Sequence, residues 1–436
     1  LSAAPEEGSA ISAPERQATF REVFAVREFR PLFGSFLLST IGDELARVAL
    51  TVLVYQRTGS PLLSAITFAI GHLPWLLGGP LLSTLADRLP RHRVLIATDA
   101  ARAVLVALLA IPGAPLWLLL GLLFLIALCA PPFESARSAL VADVLEGDQY
   151  AVATSLSNIS LQLAQVIGFV AAGALVAVFN PSVALLLDAG TFALSALWLW
   201  ARLKRRPAPL SEGGGGKRSL WQDAADGLTF IGRTPRLLAI VGVLWLGTMF
   251  AYASEGVAAP LVDELGQATT AIGLLLAANP LGATIGGLVI GRLVPPDRRE
   301  RLVAPLVVLT LAPVLVAGLV ALLAGPGTIP FATVIGLQFL SGLASAWVIP
   351  LNVTFVQAVP SAYRGRAFGV AVSGLYGVQG IGALAAGLAA EGVPPSGVVA
   401  LSGGLGLIAV LPVLVAFRRT QGHMAATGSP GGPSSG

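Results

Sequence analysis

Charge, cysteine, histidine and lysine are all scarce in this chain. Only 11% of its 436 residues are charged, against roughly 25% in soluble globular domains. That shortage excludes a soluble enzyme. The single cysteine, Cys129, stands in an apolar stretch, so a disulfide framework, a cysteine zinc site and an iron–sulfur cluster are excluded. The three histidines, His72, His92 and His423, lack metal-ligand spacing, and neither a metal nor a cofactor is expected. What fills the chain instead is apolar: 55% of residues are hydrophobic and the mean hydropathy is +0.81. Some 240 apolar residues match about twelve membrane-crossing helices of about 20 residues each. The chain reads as an all-α membrane protein that crosses the bilayer many times.

Apolar runs place helices near 31–55, 62–86, 94–112, 116–134, 151–178 and 182–201, then 237–260, 270–294, 302–324, 328–350, 367–390 and 397–417. They are too long and too unalternating for barrel strands, and a lipid-exposed backbone must satisfy its own hydrogen bonds. The resulting organisation is a lead-in over 1–30, a six-helix bundle over 31–201, a linker over 202–236, a second six-helix bundle over 237–417 and a disordered tail over 418–436. The lead-in mixes both signs of charge and has no apolar core, so it does not read as a secretory signal.

The formal charge of +4 does not mark a nucleic-acid binder, because the basic residues gather on no single element. Of the 27 lysines and arginines, 24 fall in the tails and alternate loops, only Arg57 falls in the opposite loops, and Arg47 and Arg102 lie inside spans. Such asymmetry places both termini and the linker in the cytoplasm. The inner, cytoplasmic membrane is the expected location. The linker carries Pro207, Pro209 and four glycines from Gly213 to Gly216. Its GGGGKRS stretch is not a phosphate-binding loop, since Arg218 follows Lys217 and Ser211 occupies the position of the first glycine. Residues 220–231 suit an amphipathic helix on the membrane surface.

The halves echo each other. Gly168-Phe-Val-Ala-Ala-Gly173 recurs as Gly382-Ala-Leu-Ala-Ala-Gly387, and Arg88-Leu89 recurs as Arg292-Leu293. Two pseudo-symmetric halves around a cytoplasmic linker are the pattern of a secondary transporter with a site between them. The segment GGPLLSTLADRLPRHRVL, Gly78 to Leu95, resembles the loop signature after the second helix of the major facilitator superfamily, through Asp87, Arg88, Arg91 and the basic Arg93. Ser83 and Pro90 replace the two usual glycines. FRPLFGSFLLSTIGDELARVAL, TDAARAVL, ARSALVADVL and LDAGTFALSAL extend the resemblance toward the branch of macrolide-efflux proteins and enterobactin-type exporters. The resemblance implies that Asp87, Arg88, Arg91 and Arg93 form a cytoplasmic latch, Asp87 sitting at the amino end of a helix of the other half. Topology enforcement alone is the rival reading. The usual Gly-Pro pair of antiporters in the fifth helix is replaced here by Gly168-Phe169, which leaves an importer or facilitator open.

Charges inside the spans need partners, because each ionised group near the midplane costs about 2.5–3.5 kcal/mol. Arg47 lies one turn from Asp43 and three residues from Glu44, and Arg102 follows Asp99 by three, so local pairs are available. One arginine cannot neutralise both Asp43 and Glu44, and Glu255 has no basic neighbour in its span. Asp43, Glu44 and Glu255 are therefore the proton-coupling candidates, with Arg47, Asp99 and Arg102 as intramembrane ion pairs. Glu134, beside Pro131 and Pro132, and Asp188, near a span end, read as structural. His72 reads as an interface histidine. Asn158, Gln162, Gln165, Asn279, Gln338, Asn352, Tyr376 and Gln379, with Trp245 and Tyr252, are cavity candidates, and aromatics mixed with neutral amides suit a loosely recognised amphipathic ligand.

The sequence thus reads as a monomeric exporter of a hydrophobic or amphipathic small molecule, driven by proton antiport. A dedicated siderophore or metabolite exporter, an importer and a non-transporting receptor are its rivals. An enzyme is not expected, because nothing converges as nucleophile and base.

Overall fold

The computed structural model describes residues 19–76, 89–206, 220–360 and 363–427. Helix is the regular structure found among them, as the bilayer demands of a backbone that must bond to itself. A short α1, Phe20–Ala25, leads into α2, Phe29–Thr58, and α3, Pro61–Ile70. After the undescribed 77–88 come α4, Arg91–Leu109, α5, Leu116–Leu128, α6, Ala130–Val144, α7, Asp148–Val178, and α8, Pro181–Arg202. Beyond the linker lie α9, Leu220–Arg233, α10, Pro235–Gly256, α11, Ala258–Glu264, α12, Thr270–Leu293, and the single turn α13, Pro296–Arg299. The chain continues through α14, Val303–Ala324, α15, Thr328–Ala344, α16, Val348–Ala358, α17, Arg364–Ala389, and α18, Pro395–Thr427.

Among the described residues, nine helical segments are long and apolar enough to cross a membrane, α5 with α6 and α15 with α16 each forming one of them. The protein is a multi-pass membrane protein. Helices α2, α3 and α4 are not among the nine. The first and last carry the charges predicted to lie in the membrane, and α3 runs on toward the undescribed segment.

Local chemistry sets the helix ends. Ser60 caps α3 by accepting from the Leu63 N–H at 3.2 Å, and Asn180 caps α8 by accepting from Val183 at 3.1 Å; a proline follows each. Gly59 ends α2 in the left-handed region at φ 62°.

The predicted spans differ from the helices notably in four places. The fourth and tenth helices continue to Val144 and Ala358, past the predicted 134 and 350, because a reading by apolarity stops where the polar residues Glu134 and Asn352 begin. The seventh, predicted unbroken over 237–260, stops at Gly256 and restarts at Ala258. Pro260 removes the N–H that would bond the Gly256 carbonyl, which is the physical reason for the break. The last helix runs to Thr427, beyond the predicted 417.

Before the linker, α2 packs against α7 and α8, and α4 packs against α8; after it, α10 lies against α17 and α18, and α14 against α15 and α18. The parts before and after the linker meet chiefly through α7 on α12 and α3 on α17. Glycines permit the first of these approaches: a Cβ on Gly173 would lie 2.7 Å from the Thr270 carbonyl oxygen.

Polar contacts close the end of the molecule opposite the linker. Tyr55 Oη donates to Asp263 at 3.1 Å, while Glu391 accepts from Ser60 Oγ at 2.7 Å and from the Leu62 N–H at 3.1 Å. At the linker end the described ion pairs stay on one side of the linker. Arg91 meets Asp143 at 2.6 Å, Arg206 meets Glu28 at 2.7 Å, and Arg236 meets Glu300 at 3.5 Å. The expected surface helix is α9, held along α17 with Gly227 under the Arg366 carbonyl and Asp226 3.7 Å from Arg366.

Candidate functional site

Three polar groups lie within the spans. The first is buried among α2, α4 and α8. Arg102 is only 2% exposed, stands 3.9 Å from both Asp43 and Asp99, and lies over the rings of Phe133 and Phe192. Ser195 donates to Asp99 at 2.5 Å. Asp188, fully buried, packs against the backbone of Gly42, where a Cβ would collide with its carboxylate. The Asp99–Arg102 pair therefore exists as the three-residue spacing implies. The local partner expected for Asp43 does not: its arginine is Arg102 on another helix, and Arg47 turns to Glu44 at 3.1 Å. A rigid helix gives one guanidinium a choice between positions three and four residues back, and packing decides it.

The second group sits where α2 faces α7 and the later helices. Gln165 on α7 donates to Glu44 at 3.3 Å, and Arg47 lies over the Phe68 ring at 5.5 Å. Phe68 stacks on His72 at 4.9 Å, and Trp75 stacks on Tyr376 at 4.5 Å, so α3 and α17 join through aromatic faces. Glu255 on α10 is within electrostatic reach of Arg47 and Glu44, and Tyr252 is within reach of Glu255.

The third group lies wholly after the linker. Ser254, Glu255, Asn279 and Gln338, from α10, α12 and α15, line a small cavity, with room for about one water, walled otherwise by Ala251, Ala258, Leu275 and Leu276. Gln338 Nε2 donates to Ser254 Oγ at 2.9 Å.

The remaining expected residues are placed as follows. Trp245 spends its indole N–H on the Ala371 carbonyl at 3.0 Å and fills the notch at Gly374, a packing role. Gln379 is buried, Gln162 is half-buried, and Asn158 and Asn352 are exposed, apart from the groups above. Of the loop motif, Asp87 and Arg88 lie outside the described residues, Arg93 is exposed, and Arg91 is held by Asp143 of its own half rather than by a residue beyond the linker. Glu134 pairs with Arg137 at 2.5 Å, and that guanidinium lies 4.1 Å from the Phe36 ring centroid. Reasoning from the sequence missed Ser195, Trp75 and the place of Asp188 among the α2 and α4 charges. Their partners lie far along the chain, and the signal available was only that a buried acid needs a donor.

A multi-pass helical protein with charged and amide side chains buried among its spans, one group of them where the helices before and after the linker face each other, has the build of a membrane transporter. The family model of the Major Facilitator Superfamily matches residues 32–314 and 244–434, and the chain belongs to that family. A Bacillus subtilis (strain 168) protein described as the uncharacterized MFS-type transporter YfiS is 26% identical over 370 residues, covering 81% of this chain and 86% of that protein. Among solved structures, a peptide transporter POT in complex with sulfate superposes with a TM-score of 0.70 at 17% identity, covering 92% of this chain and 96% of that one. A POT family transporter in complex with 5-aminolevulinic acid gives 0.72 at 14% identity, covering 89% and 96%. The POT family transporter PepTSo gives 0.71 at 14%, covering 91% and 98%. At these identities the likeness is one of fold. The protein is a membrane transporter and not an enzyme.

Proposed function

We propose that this chain exports a hydrophobic or amphipathic small molecule by proton antiport, two six-helix bundles of a twelve-helix fold rocking about a central site. The observation that carries the reading is an excess of acids within the spans, five carboxylates around two arginines. Asp43, Asp99 and Asp188 share Arg102, while Glu44 and Glu255 share Arg47. At about 2.5–3.5 kcal/mol for each uncompensated charge, some of these acids hold protons in part of the cycle. Asp43 and Glu44 on α2 are our coupling residues. A carboxyl that loads a proton from outside and releases it inside draws about 2.3 kcal/mol per 100 mV of membrane potential.

In this reading the linker end, where basic residues gather, faces the cytoplasm, and the protein works as a monomer in the inner membrane. The closed end is then the outer one, and the structure is inward-facing. Tyr252, Tyr376, Trp75 and Gln165 offer aromatic faces and an amide, in keeping with an amphipathic substrate. The branch of macrolide-efflux and enterobactin-type exporters is the one we favour.

The test is efflux of a fluorescent amphipathic cation and of a macrolide from cells expressing the protein, with and without a protonophore, beside Asp43→Asn and Glu44→Gln. Protonophore-sensitive efflux that either variant abolishes supports the proposal. Expressed, folded protein that moves neither compound refutes multidrug export and favours a dedicated siderophore or metabolite exporter. Faster entry instead of efflux marks a facilitator or importer.

A further inference from the structure

The polar lining of the cavity between α10, α12 and α15 comes from Ser254, Glu255, Asn279 and Gln338. Gln338 is 6% exposed, and its amide nitrogen is committed to Ser254 Oγ at 2.9 Å. The Ser254 hydroxyl hydrogen is in turn committed to the Ala251 carbonyl at 3.1 Å. This fixes the amide the other way round, so that Gln338 Oε1 meets no donor among the described residues. Ser254 Oγ keeps one lone pair, Glu255 adds a carboxylate, and Asn279 brings a second side-chain amide whose oxygen can serve as a donor to a cation. No basic side chain lines the space.

The backbone contributes in the same sense. Helix α10 stops at Gly256, which puts the negative end of its dipole beside Glu255. Pro280 inside α12 withholds the N–H that would bond the carbonyl of Leu276, and Leu276 is itself a wall of the cavity. Broken helices whose carboxyl ends and freed carbonyls face a mid-membrane cavity are the means by which a transporter holds a small cation. The room left admits one water-sized occupant, too little for a drug molecule or an organic ammonium group with its carbon frame.

We propose that Glu255, Gln338, Ser254 and Asn279 form a sodium site. All its donors are hard oxygens, which excludes the metals that favour sulfur or imidazole. A single carboxylate matches a monovalent ion, whereas calcium takes six to eight oxygens, several of them from carboxylates. Its donors lie after the linker, whereas the acids assigned to proton coupling lie on α2; Glu255 is within electrostatic reach of Arg47 and Glu44 there, and occupancy is read without transport.

The experiment follows the melting temperature of the purified full-length protein in detergent at pH 8, with sodium replacing choline at constant ionic strength, and potassium as the second arm. A site predicts a rise of about 1–3 °C for each tenfold increase in sodium above its dissociation constant. It predicts no such rise with potassium, and loss of the sodium response in Glu255→Gln and in Gln338→Leu. A flat response to sodium, an equal response to potassium, or a response that survives in Gln338→Leu overturns the proposal. Should Glu255→Gln fail to fold, Gln338→Leu and the sodium-against-choline contrast in the unaltered protein decide it. Sodium binding without efflux of either test compound would refute multidrug export and leave the site standing. Protonophore-sensitive efflux with no sodium response would refute the site alone.

Discussion

Gly173 offers a way to unbalance the transporter without touching a charge. It lies where α7 and α12 cross near the closed end, and a methyl added there falls 2.7 Å from the Thr270 carbonyl oxygen and 3.1 Å from the Gly273 Cα. Ordinary contact begins at 3.4 Å, so the helices must separate by about 0.7 Å, and both obstacles are backbone that cannot rotate aside. Overpacking of this kind costs about 1–3 kcal/mol. The cost applies only while the closed end is closed, so Gly173→Ala shifts the balance toward the opposite state by about 5- to 150-fold. From a minor population of about 1%, the open-ended state rises to between about 5% and 60%. Spin labels on Gln56→Cys and Ala268→Cys, in a Cys129→Ser background, report the separation across that end. The distance distribution is expected to gain a longer component in the Gly173→Ala protein. An unchanged distribution in a folded, monodisperse variant refutes the argument that this crossing opens.

The other predictions concern charged contacts. Arg102→Leu leaves Asp43 and Asp99 without their guanidinium and is expected to destabilise the protein by about 3–5 kcal/mol, read as a fall in melting temperature. Arg102→Lys should not restore it, because the planar group also lies on two phenylalanine rings. The hydrogen bond from Ser60 and that from the Leu62 backbone hold the Glu391 carboxyl below its ordinary range. The stability this contact gives is present above the ordinary glutamate pKa and is lost as pH falls through the lowered one. A pH series of melting temperatures should show that loss in the unaltered protein and not in Glu391→Gln. Tyr376→Ala removes the partner of Trp75 and is expected to weaken apparent affinity for amphipathic compounds in the efflux assay, with expression unchanged.

The spans were legible because the bilayer imposes a length and an apolarity that few other structures share. The Asp99–Arg102 pair was legible because three residues of helix bring its members to one face. Asp43 was not, since its partner sits on α4 and nothing in the periodicity of α2 says which of two acids Arg47 will take. The donors to Asp99 and from Gln338 come from residues 96 and 84 positions away, and helix packing alone selects them. The break after Gly256 had a local signal in Gly256 followed four residues later by Pro260. An average of apolarity over the span hides it. Asn158 and Asn352 share the residue type of Gln165 and Asn279 but not their setting, because composition does not say which face of a helix a neighbour will cover.

Helix α9 turns the linker into something other than slack rope. Because it is fastened along α17 by the Gly227 contact and by Asp226, it rides with the later helices as an oar rides with its boat. Any shift of α17 therefore carries α9 with it. If the later helices rock as proposed, a label on α9 would report that motion from the membrane surface, far from the cargo and without entering the bilayer.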